Sequence, residues 1–241
     1  PPGALQLLCG DPADLLDHLT EQDVVSFTGS ADTARRLRAH PGIVRNAVRF
    51  NAEADSLNFS ILGPDATPDT VEFDLYVRQL VTEMTVKAGQ KCTAIRRALV
   101  PSELVDEVTE AVGQRLAGVR TGNPAHPEVD MGALVSLEQR EEVLRSLKAL
   151  RDAAEIVHGV AGPPEVLDAD PRRGAFCSPV LLRADDPHRP EPHEVEAFGP
   201  VSTLLPYDGA RHAAELAARG AGSLVGSVVT ADTAFAREVV L

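Results

Sequence analysis

Cys92 is the residue of this chain best placed for covalent chemistry. It lies in residues 88–94, Ala-Gly-Gln-Lys-Cys-Thr-Ala, after an amphipathic segment and before an apolar, strand-like run. Gly89 allows the backbone to approach other groups closely, and Lys91 adds a positive charge, so the setting is unlike that of a core residue. A thiol on such a turn, with a carboxylate supplied by a separate element, is a common arrangement for nucleophilic catalysis. The alternative is that Cys92 is a small buried hydrophobe.

Glu53 is the candidate for that carboxylate. It lies in Phe-Asn-Ala-Glu-Ala-Asp-Ser at 50–56, near the end of a strand-like run that starts at about Ala47. The small neighbours predict partial burial, which would suit Glu53 to act as a general base near neutral pH. The alternative is a solvated acid in a turn.

Two further segments could bind a ligand. Phe-Thr-Gly-Ser at 27–30 places Gly29 and Ser30 between a strand and a helix, where free backbone N–H groups can face a phosphate. Glu-Ala-Phe-Gly-Pro at 196–200 holds an acid and an aromatic ring two positions apart, so on an extended chain Glu196 and Phe198 point the same way. That pair could hold a sugar hydroxyl and a flat ring. Each segment alone is also an ordinary junction between elements.

Alternating strand-like and helical patterns predict an α/β fold with a mainly parallel sheet. The helix before Cys92 has one apolar face and a stop at Gly89, and a strand at 98–100 follows the thiol. Ser102 and Ser136 are predicted helix N-caps, the second as part of a capping box for a helix to about Ala154. The apolar face of the first helix comprises Phe73, Val77, Leu80 and Met84. Further strands are predicted at 24–28, 59–62, 155–158, 178–182, 202–205 and 223–229, and a surface loop at 183–194.

Composition excludes several classes of function. The net charge of -13 argues against nucleic-acid binding, which needs clustered Lys and Arg. The three cysteines, Cys9, Cys92 and Cys177, are far apart and lack metal-ligand spacing, so we expect neither a disulfide framework nor a bound metal, and a cytoplasmic location. The apolar stretch at 220–231 is too short and too rich in glycine to span a bilayer.

Taken together and in order, the segments at 27–30, 53, 89–92 and 196–200 resemble the aldehyde dehydrogenase superfamily over essentially the whole chain. The resemblance implies a three-layer αβα fold, here incomplete, and NAD or NADP as cofactor, with NADP favoured. It implies that Cys92 is the nucleophile and Glu53 the general base that activates water. It further implies that Gly29 and Ser30 lie near the cofactor phosphates, Glu196 on a ribose and Phe198 against the nicotinamide.

The segments at 23–30, 53–58 and 88–97 are most similar to the dehydrogenase part of the bifunctional ring-opening proteins of phenylacetate degradation. The semialdehyde dehydrogenases of benzoyl-CoA breakdown are the nearest alternative. Either group implies a CoA-linked aldehyde as substrate and a homo-oligomeric full-length protein, and the first also implies a fused hydratase domain. Arg96 and Arg97 would then contact CoA phosphates or form salt bridges.

Three departures from the family pattern limit what is carried over. Asn-Ala-Glu-Ala at 51–54 replaces the usual Glu-Leu-Gly-Gly, and Ala34 replaces a frequent glycine. The family's first cofactor-binding strands and its oxyanion asparagine have no counterpart here. We therefore expect residues 1–57 to be the C-terminal part of a dinucleotide-binding domain and 58–241 a truncated catalytic domain, inactive by itself. The other hypotheses are a Cys–His acyltransferase or hydrolase, for which no histidine is an obvious candidate, and a non-catalytic domain with an inert Cys92.

Overall fold

The computed structural model describes residues 3–162, 164–220 and 223–241. The chain divides into two compact units, Pro1–Asp55 and Ser56–Leu241. This division falls two residues before the domain boundary predicted from the sequence. The assignment of the first part to a dinucleotide-binding domain and the second to a catalytic domain stays a prediction.

The first unit is built around two parallel strands, β1 (Val24–Gly29) and β2 (Arg49–Ala54). Between them lie the helices α1 (Ala31–Arg38) and α2 (Pro41–Arg45), and a 3-10 turn (Leu15–His18) precedes β1. The Ser30 hydroxyl caps α1 by accepting a hydrogen bond from the N–H of Thr33. The second strand starts two residues later than predicted, because Ala47 has a φ of 49° and belongs to the turn after α2.

The second unit contains a six-stranded sheet in the order β5-β6-β7-β4-β3-β8. All neighbouring strands are parallel except β5 and β6, which confirms the predicted mainly parallel α/β fold. The strands are β3 (Phe59–Leu62), β4 (Arg97–Pro101), β5 (Glu155–His158), β6 (Val180–Arg183), β7 (Val201–Tyr207) and β8 (Gly226–Val229). The helices are α3 (Val71–Thr85), α4 (Val105–Ala117), α5 (Leu137–Leu150), α6 (Glu191–Glu194), α7 (Gly209–Ala218) and α8 (Thr233–Val240).

Apolar side chains cover both faces of this sheet, since successive residues of a strand point to opposite sides. In β4, Leu99 packs into the core formed with α5, α7 and α8, whereas Ala98 and Val100 pack into the core formed with α3 and α4. Strand β6 alternates in the same way. The unit therefore has three layers, with helices on each side of the sheet, as the sequence predicts.

Helix α3 has the predicted apolar face, since Phe73, Val77, Leu80 and Met84 are all buried. It ends at Thr85, earlier than the predicted stop at Gly89, and a 3-10 turn (Val86–Gly89) follows. Gly89 has a φ of 70° and ends this turn rather than the helix. The thiol at position 92 therefore follows a packed helix and a tight turn.

Several other boundaries differ from the sequence prediction. Ser102 is not an N-cap: it begins a 3-10 turn (Ser102–Leu104), and its hydroxyl donates to the carbonyl of Tyr207. Ser136 does cap α5, but Gln139 donates to the carbonyl of Phe198 instead of closing a capping box, and α5 ends at Leu150. The predicted loop at 183–194 contains the short helix α6, in which Pro192 and His193 are buried.

A buried arginine joins β4 to the helical layer. The Arg97 guanidinium donates to the carbonyls of Leu57, Leu216 and Ala217 and contacts Nδ1 of His193 at 3.1 Å. Burial lowers the pKa of Arg97 to about 10 and that of His193 to about 4. Nε2 of the neutral His193 ring donates to the carbonyl of Pro187, which leaves Nδ1 to accept from Arg97. Arg97 therefore has a structural role, and it is too deeply buried to bind a CoA phosphate.

Candidate active site

Cys92 lies on an exposed turn whose backbone is fixed by a buried asparagine. The Asn58 amide donates to the carbonyls of Cys92 at 2.8 Å and Ala94 at 3.0 Å. Its oxygen accepts from the N–H groups of Leu224 and Val225. The thiol itself is exposed, so the alternative of a buried core residue is wrong for position 92. The turn combines an accessible sulfur with a rigid backbone, as a nucleophile requires.

Lys91 does not direct its charge to the thiol. Its ammonium group forms an ion pair with Glu83 of α3, with Nζ at 2.7 and 2.8 Å from the two carboxylate oxygens. Both side chains are at least three-quarters buried. The structure thus uses this cation to attach the turn to α3.

The segment 196–200 lies against the turn before Cys92, and Arg96 joins the two. Its Nη1 donates to the carbonyl of Gly199 and its Nη2 to that of Gly89, both at 2.7 Å. The two backbones are so close that a Cβ on Gly89 would overlap the carbonyl oxygen of Gly199. The close approach expected of Gly89 is therefore confirmed, and the backbone just before Cys92 lies against the segment that carries Glu196 and Phe198.

Glu196 and Phe198 are held from several sides. One carboxylate oxygen of Glu196 accepts from the N–H of Ser56 at 3.2 Å, and the other lies 3.6 Å from Nε of Arg96. The Phe198 ring lies under the Arg96 guanidinium, 5.5 Å from ring centroid to Cζ. Burial lowers the pKa of Arg96, and the neighbouring Glu196 carboxylate opposes that shift.

Gly29, Ser30 and Glu53 lie together in the first unit. In the parallel ladder, Thr28 is opposite Glu53 and Gly29 is opposite Ala54, so these residues occupy the same end of the two strands. Glu53 is exposed, which makes the expected partial burial wrong: its strand carries an exposed side chain at this position. Its role as a base stays a prediction.

The Asp55 carboxylate lies at the N-terminus of α1, which the sequence did not predict. Its carboxylate accepts a hydrogen bond from the N–H of Ala31 at 3.0 Å, and its φ of 45° places it in the left-handed region. An acid at a helix N-terminus is stabilised by the positive end of the helix dipole. A phosphate at the same place would compete with this carboxylate.

Each unit offers groups that suit a different part of a nicotinamide dinucleotide. In the second unit, Arg96 contacts both the Glu196 carboxylate, whose side chain is 10% exposed, and the face of the Phe198 ring, and these two groups suit a ribose and a flat ring. Ser30 and the N-terminus of α1 suit a phosphate, with Asp55 as a competitor.

Among residues 3–162, 164–220 and 223–241, no group of three or more His, Cys, Asp or Glu side chains is arranged to hold a metal ion. No helix in the described part of the chain is long and apolar enough to cross a membrane.

Sequence reasoning missed three residues that shape the site: Asn58, Arg96 and Asp55. Asn58 and Asp55 lie within the segment 53–58 that carries the family resemblance, but nothing in their spacing indicates what they bind. For Arg96 the sequence left open a CoA phosphate or a salt bridge. The structure buries this side chain to 4% exposure beside Glu196, which favours the salt bridge.

Known proteins resemble this chain along essentially its whole length. The sequence profile of the aldehyde dehydrogenase family matches residues 1–240. The 3,4-dehydroadipyl-CoA semialdehyde dehydrogenase of Aromatoleum evansii is 52% identical over 241 residues, which are 100% of this chain and 47% of that protein. The 3-succinoylsemialdehyde-pyridine dehydrogenase of a Pseudomonas species is 30% identical over 99% of this chain and 48% of its own length.

Solved structures show the same fold. A betaine aldehyde dehydrogenase from Staphylococcus aureus, crystallised with NAD+ and a BME-modified cysteine, superposes with a TM-score of 0.79 at 28% identity. The match covers 94% of this chain and 43% of that one. The chain thus spans about half the length of the relatives it matches.

Proposed function

Because this chain belongs to the aldehyde dehydrogenase family, we propose that the protein oxidises a CoA-linked semialdehyde to the carboxylic acid, with NAD or NADP as hydride acceptor. The observation that carries the proposal is an exposed thiol on a fixed turn, with Arg96 joining the backbone just before that turn to the segment that holds Glu196 and Phe198. The name of the relative from Aromatoleum evansii supports the CoA-linked substrate class.

Cys92 forms the covalent bond to the substrate. Its sulfur attacks the aldehyde carbon, and the carbonyl oxygen becomes the hydroxyl of a thiohemiacetal. The backbone N–H of Cys92 is one donor available to that oxygen. Because Asn58 fixes the carbonyls on both sides of the turn, the sulfur needs little reorganisation before attack.

The cofactor, when bound, would supply the acceptor for the hydride of the thiohemiacetal carbon; the hydroxyl proton would pass to solvent, and a thioester of Cys92 would remain. Glu196 would hold a ribose hydroxyl, and Phe198 would lie against the nicotinamide ring. Ser30 and Gly29 would lie near the phosphates. Glu53 would remove a proton from the water that hydrolyses the thioester, so that the acid leaves and the Cys92 thiol is restored.

The resemblance to the ring-opening proteins favours a semialdehyde of phenylacetate degradation and NADP. The alternative is a semialdehyde of benzoyl-CoA breakdown, and the similarity to a 3,4-dehydroadipyl-CoA semialdehyde dehydrogenase supports the CoA-linked substrate class that the two share. Both are CoA-linked products of aromatic degradation, so one assay series with both thioesters and both cofactors distinguishes them.

The test measures reduced nicotinamide formed from CoA-linked semialdehydes by the purified protein expressed at the full length of its relatives, of which this chain spans about half. We expect C92S to lower turnover by on the order of 10³-fold or more, since no comparable nucleophile remains. We expect E53Q to give a single burst of about one equivalent of reduced cofactor, followed by slow release, with an acyl adduct of Cys92 detected by mass spectrometry.

Cys9→Ser is the matched control, because Cys9 is also an exposed thiol. Its turnover should equal that of the wild type. A wild-type protein expressed at the full length of its relatives that reduces neither cofactor with either thioester contradicts the proposed reaction. Full activity of C92S contradicts the assigned nucleophile, and steady turnover without a burst in E53Q contradicts the assigned base.

A further inference from the structure

Arg96 is buried at the junction between the turn that precedes Cys92 and the segment 196–200. Its Nη2 donates to the carbonyl of Gly89 at 2.7 Å and lies 3.4 Å from that of Lys91, while its Nη1 donates to the carbonyl of Gly199. The side chain is 4% exposed. One guanidinium therefore ties both backbones, which are far apart in sequence.

The planar shape of the guanidinium is what this site uses. The two terminal nitrogens of the guanidinium donate to carbonyls of two different segments, at Gly199 and Gly89. The face of the same guanidinium covers the Phe198 ring. A lysine carries the same charge at a single point, so it cannot satisfy both carbonyls and cover the ring. Since Gly89 and Gly199 are in close contact, a small change at one turn displaces the other.

Charge balance connects the same arginine to Glu196. A buried cation is costly unless it is paired, and the two carbonyl hydrogen bonds leave its charge uncompensated. Nε of Arg96, which makes no hydrogen bond in the described part of the chain, lies 3.6 Å from the Glu196 carboxylate. The N–H of Ser56 holds the second oxygen of that carboxylate. Arg96 thus orients Glu196 as well as the two turns.

We propose that Arg96 is a positioning residue that fixes the turn before Cys92, Glu196 and Phe198 in place relative to one another. It touches neither substrate nor cofactor; it acts through the groups that do. This inference rests on the proposed function for the roles of Cys92, Glu196 and Phe198, but the coupling between the two segments can be measured without catalysis.

The test compares Arg96→Lys with Arg115→Lys in the whole protein. Arg115 forms an exposed ion pair with Asp74, so its replacement controls for the loss of a guanidinium. Amide hydrogen exchange is followed in peptides that cover 86–93 and 196–200. We expect R96K to speed exchange at least about 10-fold in both peptides, with R115K unchanged, because loss of the fork permits local opening.

Cofactor binding and kinetics provide the second readout. For R96K we expect binding of NAD and NADP, measured by calorimetry, to weaken about 10-fold, and KM for the aldehyde to stay within about twofold, since the substrate carbonyl is not held by Glu196 or Phe198. E196Q should weaken cofactor binding too. The double variant should bind cofactor about as tightly as the weaker-binding single variant, because both changes disrupt the same set of contacts.

The outcomes separate this inference from the proposed function. If the wild type neither binds nor reduces either cofactor, the proposed function fails while the exchange result still tests the coupling. If R96K equals R115K in exchange and in cofactor binding, or if exchange rises equally throughout the second unit, the positioning role is wrong. Should R96K not fold, E196Q alone must still speed exchange in 86–93, a segment that does not contain it; unchanged exchange there overturns the inference.

Discussion

Three cysteines of one chain show how surroundings decide reactivity. Cys177 packs in the core of the second unit, and burial raises its pKa to about 11, so it remains a thiol at neutral pH. Cys92 and Cys9 are exposed. Of these two, Cys92 has a backbone fixed by Asn58, and Arg96 joins the turn just before it to the segment that carries Glu196 and Phe198. The difference lies in what surrounds the sulfur.

Asp55 gives the first prediction at the residue scale. If the N-terminus of α1 binds cofactor phosphates, the carboxylate on the N–H of Ala31 opposes that binding. Asp55→Asn keeps an acceptor oxygen, and asparagine tolerates the left-handed backbone at this position. Charges at a helix end are worth about 0.3–1 kcal/mol, so we expect the Kd for NAD or NADP to fall about two- to fivefold. Calorimetric titration measures it.

Asp32→Asn is the control for this substitution, since Asp32 also lies in the first turn of α1 but pairs with Arg35 at the surface. We expect its effect to be smaller than that of D55N. Added salt should reduce the gain in cofactor affinity that D55N produces, because salt screens exposed charges. Unchanged or weaker cofactor binding by D55N at low salt would show that no phosphate lies at this helix end.

At the scale of elements, the turn between α3 and the thiol is conformationally demanding. Lys87, Ala88 and Gly89 all have positive φ, at 54°, 52° and 70°. Such a backbone is unfavourable for lysine and alanine and persists only when surrounding contacts impose it. Burial of Ala88 and the hydrogen bonds of Arg96 and Gln90 to this turn supply those contacts. The turn connects the end of α3 to the segment that carries the exposed thiol.

Gly89→Ala should disrupt this turn strongly. A Cβ would overlap the Gly199 carbonyl oxygen, and alanine is disfavoured at a φ of 70°. We expect the free energy of unfolding of the second unit to fall by about 2–4 kcal/mol. Urea denaturation followed by tyrosine fluorescence measures this, because the two tyrosines, Tyr76 and Tyr207, both lie in that unit and the chain has no tryptophan.

Gly113→Ala is the matched control for Gly89→Ala. Gly113 lies inside α4, and an added Cβ would meet only an ordinary contact with His158 at 3.5 Å. Because alanine favours helix over glycine, this variant should be neutral or more stable by about 0.5–1 kcal/mol. Equal changes in the free energy of unfolding for the two substitutions would mean that position 89 does not require glycine.

At the scale of the whole molecule, the sequence predicted the parts of the fold that periodicity encodes. The apolar face of α3, the alternation of strands and helices and the Ser136 cap depend on local patterns and are confirmed. The predicted cap at Ser102 was wrong, because this residue begins a 3-10 turn and its hydroxyl donates to the carbonyl of Tyr207. The predicted end of α5 was also wrong, since the helix ends at Leu150. The family resemblance is confirmed by the profile match.

The candidate site was less accessible to sequence reasoning because its geometry depends on contacts between distant segments. Arg96 joins positions 89 and 199, and Asn58 joins positions 92 and 224. A pattern shows which residue types are present but not which carbonyl a buried donor reaches. The exposure of Glu53 illustrates the same limit, since small neighbours do not ensure burial.

The two units differ in core size, which gives the last prediction. In the first unit the buried apolar side chains among described residues are Ala34, Ile43 and Val48, whereas two extended clusters fill the second. A unit of 55 residues with so small a core is marginally stable. We therefore expect amides of β1 and β2 to exchange at least about 100-fold faster than those of β4 and β7, and to lose protection at lower urea than the tyrosine transition.

Ile43→Ala and Leu80→Ala assign the two transitions. Ile43 is 4% exposed in the first unit and Leu80 is 0% exposed in the second, so each substitution leaves a cavity in one core. I43A should abolish the remaining protection of β1 and β2 without moving the tyrosine transition. L80A should lower the tyrosine midpoint, at a cost of about 2–5 kcal/mol. One transition seen at the same urea concentration by both probes, and shifted by either variant, would show that the two units unfold as one.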